Sequence, residues 1–299
     1  MISLQQLSNK VVVIVGATAS GKSQYAMGIA QQLNGVIINA DSMQVYRNIP
    51  ILTAQPSVQD TQLVSHMLYG IKQCDEYFSV GMWLELVKSS IIKVQASGKV
   101  PIIVGGSGLY IKALVYGFVY TPVISAGTKA YLSSVCAGLS LDCDRAAYNK
   151  SLHELLKDCD EESYQKLKVN DEQRILRALA VYHETGIPLS KWHTMNEKWL
   201  NRDQFYVVLI QKDRDELYRR CDARFVEMLN IGALEEAQYV LASFEKYPKV
   251  LGLFELMEYV SGKMSLADST SQAQQKIRNY AKRQLTWFRH QIDYDEVIR

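Results

Sequence analysis

Four nearly continuous apolar runs and one long helical interval predict an α/β protein, a parallel-sheet core carrying an inserted all-helical domain. The runs are Val11-Val12-Val13-Ile14-Val15, Val36-Ile37-Ile38-Asn39, Val100-Pro101-Ile102-Ile103-Val104 and Phe205-Tyr206-Val207-Val208-Leu209-Ile210. Runs of this kind, rich in β-branched residues and lacking polar alternation, mark strands buried on both faces. Between residues 122 and 204 strand-like runs vanish and helical spacing dominates, after which the fourth run restores the first pattern. That return makes 1–121 and 205–299 two parts of one core, with 122–204 as the insertion.

The first run feeds Gly16-Ala17-Thr18-Ala19-Ser20-Gly21-Lys22-Ser23, and Gln24 to Leu33 continues with helical spacing. A strand, G-x-x-x-x-G-K-S and a helix together form the context of a phosphate-binding loop, so the core is expected to be P-loop NTPase-like. Two glycines permit the tight turn, backbone N–H groups form an anion nest, and the helix N-terminus adds partial positive charge. Lys22 is placed to neutralise phosphate oxygens and Ser23 to ligate Mg²⁺. The motif alone leaves open which phosphate is held.

Gly35 breaks the first helix, and the second run leads to Asp41. In a parallel sheet the ligand crevice lies beyond the carboxyl ends of the strands, which puts Asp41 opposite the phosphate loop. A carboxylate there can accept a proton or hold Mg²⁺ through water; the alternative is a helix N-cap shared with Ser42. Asn48, Pro50, Pro56 and Ser57 mark the loop from Tyr46 to Gln59. His66 has no Cys or second His nearby and is expected to be structural. Trp83 to Val94 reads as a helix, and the third run ends in Gly105-Gly106-Ser107-Gly108, which brings the Ser107 hydroxyl to the same crevice.

Within the insertion, Ser151 to Lys157 and Glu172 to Glu184 have helical spacing, with a break at Thr185-Gly186-Ile187-Pro188. Arg174 and Arg177, beside Asp171 and Gln173, share a helix face at i, i+3, equally suited to solvent or to a ligand. Asp213 to Leu229 is amphipathic and carries Arg214, Arg219, Arg220 and Arg224; an arginine near a phosphate loop can stabilise a departing phosphate, although surface salt bridging is the commoner fate. Helices are expected from Gly232 to Phe244 and from Leu251 to Tyr259. The last stretch, around Lys276, Arg278, Lys282, Arg283 and Arg289, contains no Asp or Glu from Ser269 to Ile292 and interleaves Tyr280 and Trp287. Unpaired cations suit a polyanion and aromatics can stack on exposed bases, while Trp287 or Phe288 is expected to be partly buried.

The 299 residues are 48% hydrophobic and 21% charged with a net charge of +2, an ordinary globular balance in which the distribution of charge must decide about nucleic acid. Cys74, Cys136, Cys143, Cys159 and Cys221 are scattered without C-x-x-C spacing, against both a disulfide framework and a zinc site, and a reducing cytoplasmic home follows. Met1 to Lys10 lacks the pattern of a signal peptide and no run reaches membrane-spanning length. A cytoplasmic monomer without membrane association is expected.

Taken in order, these residues resemble the tRNA dimethylallyltransferases, also called tRNA isopentenyltransferases. The resemblance runs through Gly16 to Ser23, Asp41-Ser42-Met43-Gln44-Val45-Tyr46, Thr53-Ala54, His66, Gly105 to Tyr110, Asn170-Asp171 with Gln173-Arg174 and Arg177-Ala178-Leu179, Thr185-Gly186, and Leu217-Tyr218 with Arg220. It closes on Tyr280-Ala281-Lys282-Arg283-Gln284-Leu285-Thr286-Trp287-Phe288-Arg289. What the resemblance implies is transfer of a dimethylallyl group from dimethylallyl diphosphate to N6 of adenosine 37 beside the tRNA anticodon, with Mg²⁺ at Ser23. It implies catalytic roles for Asp41, Lys22, Ser107 and Arg220, with the whole loop Gly16, Ala17, Thr18, Ala19, Ser20, Gly21, Lys22 and Ser23 gripping the diphosphate. It implies tRNA contacts from Asp41, Ser42, Met43, Gln44, Lys129, Gln173, Arg174, Arg177, Gly252, Lys282, Arg283, Gln284, Thr286, Trp287 and Arg289, and an insertion that grips the anticodon stem-loop. Leu52 and Gln55 stand where the family usually has Gly and Lys, Ser107 where it has Thr, and Leu253 and Phe254 where it has Tyr and Lys. The competing reading is an ATP-dependent P-loop kinase of a nucleotide or small molecule, which would use the loop but not the cationic helix; a non-catalytic RNA-binding protein is the other.

Overall fold

The computed structural model describes residues 7, 9–140, 144–195 and 198–299; Cys143 and most of Met1 to Lys10 lie outside them. Two compact units emerge, 1–116 with 199–299, and 117–198, where composition set the insertion at 122–204.

The larger unit is built on a six-stranded sheet of order β3-β2-β4-β1-β5-β6, all neighbours parallel. Its strands are β1 (Val11–Gly16), β2 (Gly35–Asn39), β3 (His66–Met67), β4 (Val100–Gly105), β5 (Phe205–Ile210) and β6 (Glu296–Ile298). β1, β4 and β5 are buried along their whole length, as continuous apolar runs require. The edge strands β3 and β6 span two and three residues, too short to leave a periodic signal.

Val12 and Ile14 of β1, Ile102 and Val104 of β4, and Val208 and Ile210 of β5 face Ala26 and Ala30 of α1 (Lys22–Leu33). After α2 (Val58–Leu63), α3 (Val80–Ala96) and α4 (Gly108–Tyr116) pack together through Trp83 stacked on Tyr110, ring centroids 4.5 Å apart. The smaller unit holds α5 (Ala126–Ser140), α6 (Arg145–Glu154), α7 (Glu161–Lys166), α8 (Glu172–Thr185) and α9 (Leu189–Thr194). Its core gathers Tyr148, Leu152, Leu156, Ile175, Ala178 and Leu179, the apolar face that helical spacing marks on α8. Asp160 is buried there, accepting from Ser163 Oγ at 2.7 Å and from the Ser190 N–H at 3.0 Å, and these hydrogen bonds hold its carboxyl below the usual range against the opposing effect of burial.

The chain returns through β5 to α10 (Arg214–Asn230), α11 (Ala233–Ser243), α12 (Leu253–Val260) and the 26-residue α13 (Leu266–Gln291). Leu217, Cys221 and Phe225 of α10 join Ala273, Ile277 and Ala281 of α13 in a second core cluster that also contains Ala17 of the phosphate loop. The phosphate loop is therefore seated on the helical layer as well as on the sheet.

Candidate active site

The carboxyl ends of β1, β2 and β4 converge. A methyl group built on Gly106, just past β4, would sit 3.3 Å from the Gly16 carbonyl oxygen and 3.5 Å from Asp41 Oδ2, so three strand ends face one small space. Gly16 admits no side chain, because a Cβ would lie 2.7 Å from both the Ile210 carbonyl oxygen and Ser20 Oγ. Ala19 and Gly21 take positive φ, 61° and 92°, which curls the backbone in the left-handed region that favours glycine. Ser20 Oγ is buried with no hydrogen-bond partner among the described residues, an orphaned polar atom of the sort an anion or its water would satisfy.

Lys22 Nζ donates across the loop to the Ala17 carbonyl at 3.3 Å. Burial lowers its pKa to about 8; attraction to Asp41 works upward, and repulsion from Arg224 adds to the depression. Arg224 is depressed by burial as well, and Cys221 and then Asp41 pull it back. The crevice is thus a cation-rich place with one central carboxylate. Thr18 is held from three sides. Its N–H donates to Gln284 Oε1 at 2.8 Å, its hydroxyl accepts from the Arg224 guanidinium, and its carbonyl meets the Cys221 thiol at 3.9 Å.

Asp41 owes its position to Asn39, fully buried at the end of β2. Asn39 Oδ1 accepts the Asp41 N–H at 2.8 Å, and its Nδ2 donates to the carbonyls of Asp41 and Leu68 at 3.0 and 3.1 Å. Asp41 Oδ1 then accepts the Met43 N–H at 2.9 Å, which leaves Oδ2 turned toward Gly106. Tyr69, Tyr110 and Tyr280 all feel this carboxylate; burial chiefly, with the Asp41 charge adding to it (behind Tyr46 for Tyr110), pushes the three phenols up, so they remain protonated donors. Ser107 Oγ accepts the Ser42 N–H at 2.8 Å and donates to Ser42 Oγ at 3.0 Å, joining the loops after β2 and β4.

Gln44 Nε2 donates to the carbonyls of Thr53 and Ala54 at 3.1 and 2.6 Å. The same segment is pinned from α11, where the Glu236 carboxylate accepts the Ile51 and Leu52 N–H groups at 2.7 and 2.9 Å. A cavity of about 520 Å³ opens beside Ser23 and Gln44, walled by Met27, Leu63, His66 and Tyr69. His66 carries a structural bond, Nδ1 lying 2.8 Å from the Val64 carbonyl, and desolvation lowers its pKa.

Arg220 is exposed and shared with Glu216 at 3.4 Å, while its guanidinium lies 3.4 Å from the position of a Cβ on Gly21. Arg220, Arg224, Lys22 and Ser23 line one cavity of about 430 Å³, so both arginines address the loop. For Mg²⁺ the chain supplies the Ser23 hydroxyl, exposed at the start of α1, and no cluster of three His, Cys, Asp or Glu among the described residues. This donor set fits an ion that keeps several waters and shares phosphate oxygens.

On α13, Lys282, Arg283, Thr286 and Arg289 are exposed and Trp287 is half-buried over Gly108, while Phe288 is buried. Gln284 and Gly252 are placed inside: Gln284 is 5% exposed, and Gly252, at φ 84°, has no room for a side chain beside Phe225. In the smaller unit Lys129, Gln173, Arg174 and Arg177 are exposed; Arg174 pairs with Asp171 at 3.3 Å, Arg177 reaches the Thr121 hydroxyl, and Lys129, Gln173 and Arg177 border a groove of about 750 Å³. Sequence reading gave no functional weight to Asn39 or Glu236 and preferred Arg220 to Arg224. Arg224 was findable, because it lies one helical turn beyond Arg220 on the same face.

Fold and site together define a P-loop α/β protein with a carboxylate facing the loop. The family model described as IPP transferase matches residues 44–291, and the chain belongs to that family. It is 40% identical over 288 residues to the tRNA dimethylallyltransferase of Rhodospirillum centenum, covering 94% of this chain and 89% of that protein. The tRNA dimethylallyltransferase of Ehrlichia chaffeensis is 36% identical over 289 residues, covering 95% and 92%. Among solved structures, a eukaryotic dimethylallyltransferase described as acting on tRNA superposes with TM-score 0.76 at 28% identity, covering 96% of this chain and 74% of that one. The tRNA delta(2)-isopentenylpyrophosphate transferase of Staphylococcus epidermidis gives TM-score 0.63 at 31% identity, covering 96% and 92%. These relatives favour the prenyltransferase reading over the kinase.

Proposed function

We propose that this protein transfers a dimethylallyl group from dimethylallyl diphosphate to N6 of adenosine 37 in tRNA, releasing diphosphate. The observation that carries the mechanism is the placement of Asp41 within electrostatic reach of the phosphate-loop lysine, where three strand ends meet. The exocyclic nitrogen attacks C1 of the allylic donor as the carbon–oxygen bond breaks, and the bonding pair leaves on diphosphate. Negative charge grows on the leaving oxygen, and backbone N–H groups with Lys22, Arg224 and Arg220, which line one cavity, are the groups to stabilise it. Asp41 Oδ2 accepts the proton lost from nitrogen or orients the amine, and Ser107 helps to hold the diphosphate. Ser23 would hold Mg²⁺, which supplies further charge neutralisation on phosphate oxygens when bound. The cavity beside Ser23, with its Met27 and Leu63 walls, suits the apolar tail of the donor.

The adenine must leave its stack to reach a carboxylate at this depth. Lys282, Arg283, Thr286, Trp287 and Arg289 form the exposed face offered to the RNA backbone and bases, and Ser42, Met43 and Gln44 border the crevice. In the smaller unit, Lys129, Gln173, Arg174 and Arg177 offer a second basic surface to the anticodon stem-loop. The protein is read as a cytoplasmic monomer; no helix among the described residues is long and apolar enough to cross a membrane. Incubation of the purified chain with undermodified tRNA and either labelled dimethylallyl diphosphate or labelled ATP tests the reading. Label passing into N6-isopentenyladenosine is the expected result; phosphoryl transfer without prenylation would overturn it.

A further inference from the structure

The exposed and buried faces of α13 do different things at the same turn. Arg283 and Thr286 face solvent, yet Gln284 between them is buried with both ends of its amide in use. Its Oε1 accepts the Thr18 N–H at 2.8 Å and its Nε2 donates to the Gly106 carbonyl at 2.9 Å. One side chain therefore bridges the phosphate loop after β1 and the glycine loop after β4, 266 and 178 residues away in sequence. Its seat is fixed by neighbours one turn on either side: Tyr280, whose phenol interacts with both Ser107 and Gln284, and Phe288, which is buried. Trp287 closes the arrangement, for its ring occupies the space that any side chain on Gly108 would need.

We propose that Gln284 is a positioning residue that holds the phosphate loop in its anion-binding shape and links that shape to the seating of α13. This rests on the reading of the loop as a diphosphate site and of the outer face of α13 as RNA-facing. The Thr18 peptide belongs to the loop whose N–H groups build the nest; tying its N–H sideways fixes the orientation of the neighbouring peptides before any ligand arrives. Preorganisation of this kind lowers the ordering cost of binding. Because α13 carries the amide inward and the cations outward, RNA that shifts or stiffens the helix acts on donor binding through Gln284. Gln284 touches no reacting atom.

The test compares wild type with Gln284→Met, which keeps length and volume but neither hydrogen bond, and Gln284→Glu, which keeps the acceptor for Thr18. Binding of inorganic diphosphate and of an anticodon stem-loop RNA is measured separately by calorimetry, then diphosphate binding is repeated with saturating RNA. Leaving two buried backbone groups unpaired is expected to weaken diphosphate binding by roughly tenfold or more in Gln284→Met. Gln284→Glu is expected to fall between, RNA binding without diphosphate to stay within about twofold in both, and the KM for dimethylallyl diphosphate to rise more than kcat falls. Any effect of RNA on diphosphate affinity in wild type should shrink in Gln284→Met. Unchanged diphosphate affinity in Gln284→Met, or an equal loss of diphosphate and RNA binding in a folded variant, would overturn the proposal. Wild-type protein that turns over no dimethylallyl diphosphate would instead sink the functional reading, so the two failures are distinct.

Discussion

Lys22 should destabilise the ligand-free protein that needs it. Burial moves its pKa from 10.5 to about 8 despite the nearby Asp41, a difference of about 2.5 units. At 1.36 kcal/mol per unit, keeping the ammonium charged in the folded state costs about 3 kcal/mol, an upper figure because solvent still reaches the half-buried side chain. The sign follows from proton counting. Between pH 8 and 10.5 the unfolded chain binds the proton and the folded chain does not, so this contribution makes stability rise with pH across that window. Below pH 8 both states are charged and the full penalty applies. Lys22→Met, similar in length and uncharged, is therefore expected to raise the urea midpoint at pH 7 by an amount equivalent to about 1–3 kcal/mol, and to gain progressively less at pH 9 and 10. The same variant should lose measurable binding of dimethylallyl diphosphate. In wild type near pH 8.5 a substantial share of the free protein would carry a neutral Lys22, so donor binding should take up a fraction of a proton, read as a dependence of binding enthalpy on buffer ionisation. A Lys22→Met variant less stable than wild type at pH 7, or buffer-independent enthalpy at pH 8.5, would refute the reasoning.

Asp41→Asn should retain tRNA affinity and lose about 10² to 10⁴ in single-turnover rate, since it keeps the shape but not the basicity of the carboxylate; an unchanged rate would remove Asp41 from proton transfer. Lys282→Ala with Arg283→Ala should weaken tRNA binding and reduce its logarithmic salt slope by roughly two, about one per lost phosphate contact, measured by filter binding across a salt series. Glu236→Ala strands the Ile51 and Leu52 N–H groups and should cost about 1–3 kcal/mol in urea unfolding, with a rise in KM for tRNA as the Gln44 segment loosens.

Much of this architecture could be read from local pattern, and the parts that could not share a physical reason. The four long strands announced themselves because burial on both faces demands unbroken apolar runs, and the phosphate loop because its backbone geometry restricts residue choice at each position. β3 and β6 could not, since two or three residues carry no period and their pairing is decided by neighbours far away in sequence. Asp41 was visible from its place at a strand end. Asn39, the last residue of an otherwise apolar run, drew no notice, although a buried amide there implies a bonding task. Gln284 illustrates the general limit. Among Lys282, Arg283 and Thr286 it looks like one more polar surface residue, and only the turn of α13 that carries it inward to Thr18 and Gly106 gives it a different role.

The charge arrangement bears on why this loop suits a leaving group. Burial, more than mutual repulsion, disfavours the charged forms of Lys22 and Arg224, with Arg220 beside them and Asp41 the carboxylate that both feel. An anion entering this space gives buried cations the partner that water no longer supplies, and an anion whose charge increases during the reaction compensates them further. Breaking the allylic carbon–oxygen bond does that: the bridging oxygen of the donor becomes a terminal oxygen of free diphosphate. On the proposed reaction the site would stabilise the transition state more than the donor, which is the condition for rate enhancement. The same preference carries a cost, for it extends to the product. On the proposed reaction, a crevice tuned to growing charge would hold free diphosphate at least as firmly as the ester, so slow diphosphate release, seen as a burst of product in the first turnover, is the expected outcome.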